Sequence, residues 1–193
     1  MTKPMKIGLF FGSFNPIHVG HLIISNFMAT QTDLQQVWLV VSPQNPLKSK
    51  NTLARDRDRL NMVQAAIDDN PKLRASNIEF DLPKPSYTID TLTYLGEKYP
   101  QHEFSLIMGS DNVATLHKWK NYELILRGYS IYVYRRPAYD LGDLATHEHI
   151  KVFDAPLMDI SATYIRSCLT SGKSIQYLVP EAVLTYLKEA KIY

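Results

Sequence analysis

The sequence predicts an α/β protein built on a doubly wound parallel sheet, and two observations carry that reading. Short, nearly continuous apolar runs recur along the chain, among them Ile7 to Phe11, Gln36 to Val41 and Phe104 to Met108. A strand without polar alternation suits a sheet buried on both faces. Amphipathic segments of helical period separate these runs, so strands and helices alternate and right-handed crossovers follow. In such a sheet, ligands sit beyond the carboxyl ends of the strands.

The 193 residues fit one domain with a real core, and the 45% hydrophobic and 21% charged fractions are those of a soluble globular chain. A net charge of +2 points to neither a nucleic-acid nor a membrane partner, so any anion site must be local. The lone Cys168 excludes an internal disulfide and agrees with a reducing cytoplasm. The N-terminus lacks the apolar core and cleavage site of a signal peptide, and no segment approaches the ~20 apolar residues that span a bilayer. A cytoplasmic location is expected.

Residues 7 to 28, IGLFFGSFNPIHVGHLIISNFM, organise the rest. The first strand breaks at Gly12-Ser13, and Asn15-Pro16 reads as a helix start, with Asn15 as cap and Pro16 in the first helical position. His18 and His21, three apart, then share one helix face beside free N–H groups, where phosphate binds readily. The alternative is two satisfied polar residues, one capping and one half-buried. Gly20 between them favours the ligand, because a mid-helix glycine costs roughly 1 kcal/mol unless something must come close. Zinc is set aside, since Cys168 lacks ligand spacing and no third ligand is near.

The second strand, Gln36 to Val41, ends in SPQNPLKSKN, where prolines 43 and 46 forbid regular structure. Lys50 reads as solvated, whereas Lys48, after a stiff segment at the ligand end, is either a phosphate contact or a surface cation. Residues 53 to 69 form an amphipathic helix with Leu60, Val63 and Ile67 inward, and Arg55, Arg57 and Arg59 alternating with acids read as a self-paired surface. Ala75 to Phe80 is a weaker third strand near an edge. Ser86 and Thr88 are candidate caps of the next helix, whose buried stripe is Ile89, Leu92 and Leu95. Capping would account for Thr88 but not for Tyr87 beside it.

Phe104 to Met108 runs into GSDNVATLHKW. Gly109 permits a tight exit, and Asp111 is either a helix cap or an acceptor for sugar hydroxyls. Trp119, in a polar surround, is a candidate for stacking on a flat ring. Ser130 to Tyr134 is a fifth strand ending at Arg135-Arg136-Pro137, residues 138 to 148 are an irregular loop, and Ile150 to Phe153 is a sixth. Ser161 caps a helix ending at Gly172, with Ile165 and Leu169 inward. Ser161, Thr163 and Arg166 thereby gather at one helix start as a second phosphate site. Pro180 opens a last helix, whose Val183, Leu184 and Leu187 pack on the body. Neither GxGxxG nor a Walker loop follows the first strand, so phosphates must be held another way.

FGSFNPIHVGH resembles the (G/T)xFxPxHxGH signature of the HxGH nucleotidylyltransferase superfamily, and ISATYIR resembles its ISSTxIR signature. Within that superfamily the chain is similar over nearly its full length to the bacterial nicotinate-nucleotide adenylyltransferases. PSYTIDTL at 85 to 92, MGSDNVATLHKW at 108 to 119 and Arg136-Pro137 carry that closer likeness. Pantetheine-phosphate and glycerol-phosphate relatives lack the two internal stretches.

The resemblance implies a single domain over 1–193 with a Rossmann-like nucleotidylyltransferase fold, residues 160–193 forming a helical portion that completes the triphosphate site. It implies that ATP and nicotinate mononucleotide yield the deamido dinucleotide and pyrophosphate, with Mg2+ on the triphosphate and no metal ligands from protein. His18, His21, Lys48 and Arg166 would be catalytic, and Gly12, Ser13, Phe14, Gly109, Asp111, Ser161 and Thr163 would join them around ATP. Tyr87, Thr88, Trp119 and Arg136 would hold the nicotinate nucleotide. The alternatives are a different acceptor, nicotinamide mononucleotide or phosphopantetheine, and a non-catalytic nucleotide sensor. A homo-oligomer is compatible with all three. Three positions depart from the family pattern: Phe11 stands for the usual glycine, Asn15 for Asp and Ala162 for Ser.

Overall fold

A computed structural model describes residues 3–43 and 53–193, so Lys48 and Lys50 lie outside the described residues. Six strands, β1 (Lys6–Gly12), β2 (Gln36–Val41), β3 (Leu73–Ser76), β4 (Glu103–Gly109), β5 (Ile131–Tyr134) and β6 (Ile150–Phe153), form one sheet in the order β3-β2-β1-β4-β5-β6. Every pairing is parallel. Chain order reverses between β1 and β4, so the crevice of a doubly wound sheet opens beyond Gly12 and Gly109.

Strand alternation explains why both faces are dry. Ile7, Leu9, Trp38 and Val40 point into one core, together with Leu92 and Leu95 of α3 (Thr88–Lys98) and Ile125 of α5 (Tyr122–Gly128). Phe10, Val37, Leu39 and Val41 point into the other. That second core is closed by α1 (Val19–Gln31), α2 (Asp56–Ile67), α6 (Ala162–Thr170) and α7 (Glu181–Ala190). Val183, Leu184 and Leu187 of α7 are buried as the sequence predicts. A four-residue helix, α4 (Ser110–Val113), follows β4. No helix among the described residues is long and apolar enough to cross a membrane.

Four expectations require correction. Helix α1 starts at Val19 with His18 in the cap position, not at Asn15-Pro16. The Asn15 side-chain oxygen instead accepts from the Ala54 backbone N–H and from the Tyr193 hydroxyl, which ties both segments to this turn. The third strand is Leu73–Ser76 rather than residues 75 to 80, because Ile78–Asp81 winds into a 3-10 turn. Tyr87, not Ser86 or Thr88, occupies the cap position of α3. Arg59 is no surface residue: it is 0% exposed.

Candidate active site

The first site element is the turn after β1. Phe14, at φ 44°, is 2% exposed and folds its ring back over Gly12. A Cβ on Gly12 would meet that ring at 2.7 Å, so the turn requires glycine there. Phe14, expected at the nucleotide, therefore gives its side chain to the core. Its ring packs edge-on against His21 at 5.1 Å and against Phe10 at 6.0 Å, steadying the second imidazole from below.

His18 and His21 stack at the opening of α1 with ring centroids 3.7 Å apart and planes tilted by 31°. The His18 backbone N–H donates to His21 Nδ1 at 3.3 Å. A Cβ on Gly20 would come within 3.1 Å of His18 Nδ1, which accounts for the glycine of the motif: it lets the His18 ring lie against the helix start. His18 is 6% exposed, and its Nδ1 has no hydrogen-bond partner among the described residues. Burial, with a smaller contribution from the positive charge of Arg136, pushes its pKa down to about 4. The imidazole is therefore neutral at pH 7.

That depression makes a prediction. An unfolded histidine takes its proton near pH 6.5, the folded one only near 4, so unfolding takes up a proton in between. Stability from His18 is complete above pH 6.5 and lost as pH falls through 4, for a total of about 3 kcal/mol. Thermal melts from pH 7 to pH 4 should fall less steeply for His18→Asn than for the wild type. Equal slopes would show that the ring titrates normally.

Arg166 reaches this turn from the other end of the chain. Its Nη1 donates to the Asn15 carbonyl at 2.8 Å, and its Nη2 to Thr163 Oγ1 at 3.3 Å. Ser161 caps α6 as expected, its hydroxyl accepting from the Tyr164 N–H at 3.2 Å. Two residues separate Asn15 from His18, so the guanidinium is anchored on the short turn that leads into the imidazole pair. Beyond β4 and β5, Arg136 Nε lies 3.3 Å from Asp111 Oδ1, and its backbone N–H donates to Ser110 Oγ at 2.9 Å. A Cβ on Gly109 would strike Asp111 Oδ1 at 2.2 Å and Tyr134 Cε2 at 3.0 Å, so glycine makes room for this pair.

The same turn borders a pocket of about 220 Å3. Gly12 and Ser13 line it together with Tyr87, Thr88 and Trp119, three residues assigned to one ligand from the resemblance. Trp119 is half-buried against the α3 core, with Nε1 unpartnered among the described residues. Arg136, expected with those three, is not in the pocket lining; its charge is felt at His18 instead. A wider apolar recess of about 390 Å3, which includes Leu116, Tyr122 and Leu144, holds none of the unpartnered buried side-chain atoms.

Two further residues went unseen in the sequence. Arg59 donates to the carbonyls of Ser13 at 2.5 Å, Ser42 at 2.9 Å and Ala54 at 3.1 Å, and to Asp56 Oδ1 at 2.7 Å. It thereby clamps the loops leaving β1 and β2. Glu79, on the 3-10 turn, lines the pocket beside Ser42 and Ser86. Arg59 sits in a charged stretch whose composition matches a solvated surface, and Glu79 in a stretch that reads as a weak edge strand.

Comparison with known proteins accords with this geometry. The cytidylyltransferase-like family model matches residues 9–168. A probable nicotinate-nucleotide adenylyltransferase from Cytophaga hutchinsonii is 58% identical over 189 residues, covering 98% of both chains. One from Flavobacterium johnsoniae is 55% identical over 98% of this chain and 99% of its own. In fold, the chain is similar to the Plasmodium falciparum nicotinic acid mononucleotide adenylyltransferase complexed with NaAD, with TM-score 0.83 at 20% identity over 98% of this chain and 97% of that one. With a family model spanning most of its length and relatives this similar end to end, the chain belongs to the cytidylyltransferase-like family and, among its members, to the nicotinate-nucleotide adenylyltransferases.

Proposed function

We propose that this chain transfers the adenylyl group of ATP to the 5'-phosphate of nicotinate mononucleotide, releasing pyrophosphate and forming nicotinate adenine dinucleotide for NAD biosynthesis. What supports the reading is the hydrogen bond from Arg166 to the carbonyl of Asn15, three positions before His18 of the stacked pair, on a turn whose Gly12 and Ser13 also line the Tyr87–Thr88–Trp119 pocket. In line attack by the mononucleotide phosphate on the α-phosphorus forms one P–O bond as the bond to pyrophosphate breaks. The nucleophile is already an anion, so no general base or covalent intermediate is needed, and the protein supplies alignment and charge stabilisation.

His18 and His21 hold ATP phosphates and the charge that develops on them. Arg166, Ser161 and Thr163, at the start of α6, receive the departing pyrophosphate. Lys48, outside the described residues, adds a cation on this reading, Gly12 and Ser13 lie along the nucleotide, and Gly109 with Asp111 meets a nucleoside sugar. Residues 1–193 act as one domain, with 160–193 closing the triphosphate side. Mg2+ travels with ATP, liganded by phosphates and water. Among the described residues no group of three His, Cys, Asp or Glu is placed to hold a metal ion. A cytoplasmic enzyme is the matching location.

Pyrophosphate release from ATP and Mg2+, measured with nicotinate mononucleotide, nicotinamide mononucleotide or phosphopantetheine, tests the assignment. Turnover should be fastest with the nicotinate nucleotide, and turnover with phosphopantetheine alone would overturn it. Within the same assay, Trp119→Ala should raise KM for nicotinate mononucleotide by about tenfold while leaving KM for ATP near its starting value. An equal rise for both substrates would remove the ring-stacking role.

A further inference from the structure

Glu79 is 1% exposed, yet neither cation nor backbone N–H meets its carboxyl group among the described residues. One oxygen accepts from Thr91 Oγ1 of α3 at 2.7 Å. The other, Oε2, has no hydrogen-bond partner among the described residues, although the Ser42 and Ser86 hydroxyls stand beside the group. The titratable side chains that share the pocket are Tyr87, Lys118 and Lys120. Lys120 is bound to Asp90 at 2.8 Å and lies over the Tyr87 ring at 4.8 Å, so its charge is already matched at the rim.

A buried carboxyl with hydroxyl neighbours only is unfavourable when ionised, and burial pushes its pKa up against the smaller opposing pull of Thr91, Ser42 and Ser86. Such a group in a ligand pocket is poised for a ligand of opposite charge. On the function proposed above, the ring entering between Tyr87 and Trp119 is an N-ribosylated pyridine. Its nitrogen is quaternary and carries a permanent positive charge.

We propose that Glu79 determines specificity in this pocket, its carboxylate serving as the counter-charge to the quaternary ring nitrogen of the pyridine nucleotide. The site thereby selects a cationic ring over a neutral ring of the same shape. Trp119 Nε1, a donor without a partner among the described residues, lines the same pocket. Acceptor and donor together match a ring that carries a cationic nitrogen and an anionic substituent. The inference rests on the acceptor being a pyridine mononucleotide.

The test compares nicotinate mononucleotide with its 3-carboxyphenyl C-ribotide analogue, whose ring is neutral, as acceptors at saturating ATP. Wild-type KM should be lower for the cationic ring by about tenfold or more, and Glu79→Gln should abolish that preference while KM for ATP stays within about twofold. Burial raises the pKa of Glu79, so acidification that protonates its carboxylate should raise wild-type KM for the cationic ring, and Glu79→Gln should lack that component of the rise. Thr91→Val, which removes only the tether from α3, should keep the preference. Equal KM values for the two rings in the wild type would overturn the proposal, as would an undiminished preference in Glu79→Gln. Should Glu79→Gln not fold, Glu79→Asp and the wild-type pH profile decide in its place. A wild type that turns over neither ring would instead reject the acceptor assignment on which the inference stands.

Discussion

His18→Ala is expected to lower kcat by about 10²-fold or more, with KM for ATP changed far less. The His18 ring is neutral at pH 7, 6% exposed and without a partner for Nδ1 among the described residues. A neutral buried imidazole is a weak ligand for a resting triphosphate. It becomes a strong donor, and takes up a proton readily, as negative charge builds on the phosphates in the transition state. Interactions that strengthen only there appear in kcat rather than in KM. The stack on His21 at 3.7 Å adds to this, since two charged rings that close would repel until an anion lies between them and the solvent. Single-turnover rates with circular dichroism as a folding control check the prediction. A tenfold rise in KM for ATP at constant kcat would mean that His18 binds substrate and transition state alike.

The frame of the molecule was legible because burial leaves a composition signal. Ile7–Phe11 and Val37–Val41 are apolar at successive positions, and only a strand with a core on each side tolerates that. Ser161 and Gly172 bracket α6 as read, one by its side-chain oxygen and the other by a φ of 65°. Tyr87, Thr88 and Trp119, expected around one ligand, line one pocket. Asn15 misled because a capping residue before a helix looks the same whether its oxygen faces that helix or the distant Ala54 and Tyr193. Ile78 and Phe80 alternate as in a strand, yet β3 stops at Ser76, since at the sheet edge only β2 pairs with it. Arg136 was assigned by its neighbourhood in a motif, whereas its position after β5 turns it toward Asp111 and His18.

Arg59 is the misreading with the largest energetic consequence, and Arg59→Met should show it. Its helix alternates Arg and Asp over residues 55–59, a pattern shared with any solvated salt-bridged surface. The difference lies in three carbonyls, that of Ser13 after β1 and those of Ser42 and Ala54 between β2 and α2, which converge on one guanidinium. Methionine fills the volume but leaves three carbonyls without their donor, a loss of about 1 to 3 kcal/mol for each buried acceptor left unpaired, whereas Asp56, partly exposed, keeps Lys84 at 3.3 Å. For a chain of this length the melting temperature should fall by on the order of 10 °C. Arg59→Lys should fall between, because one ammonium with three donors cannot span four acceptors held in a planar fork. At temperatures where both variants stay folded, KM should rise for both substrates, since Ser13 and Ser42 line the pocket and Gly12 accepts the Ser42 N–H at 2.9 Å. A melting temperature within about 2 °C of wild type would show that water replaces the guanidinium, and the clamp on the β1 and β2 loops would then lie elsewhere.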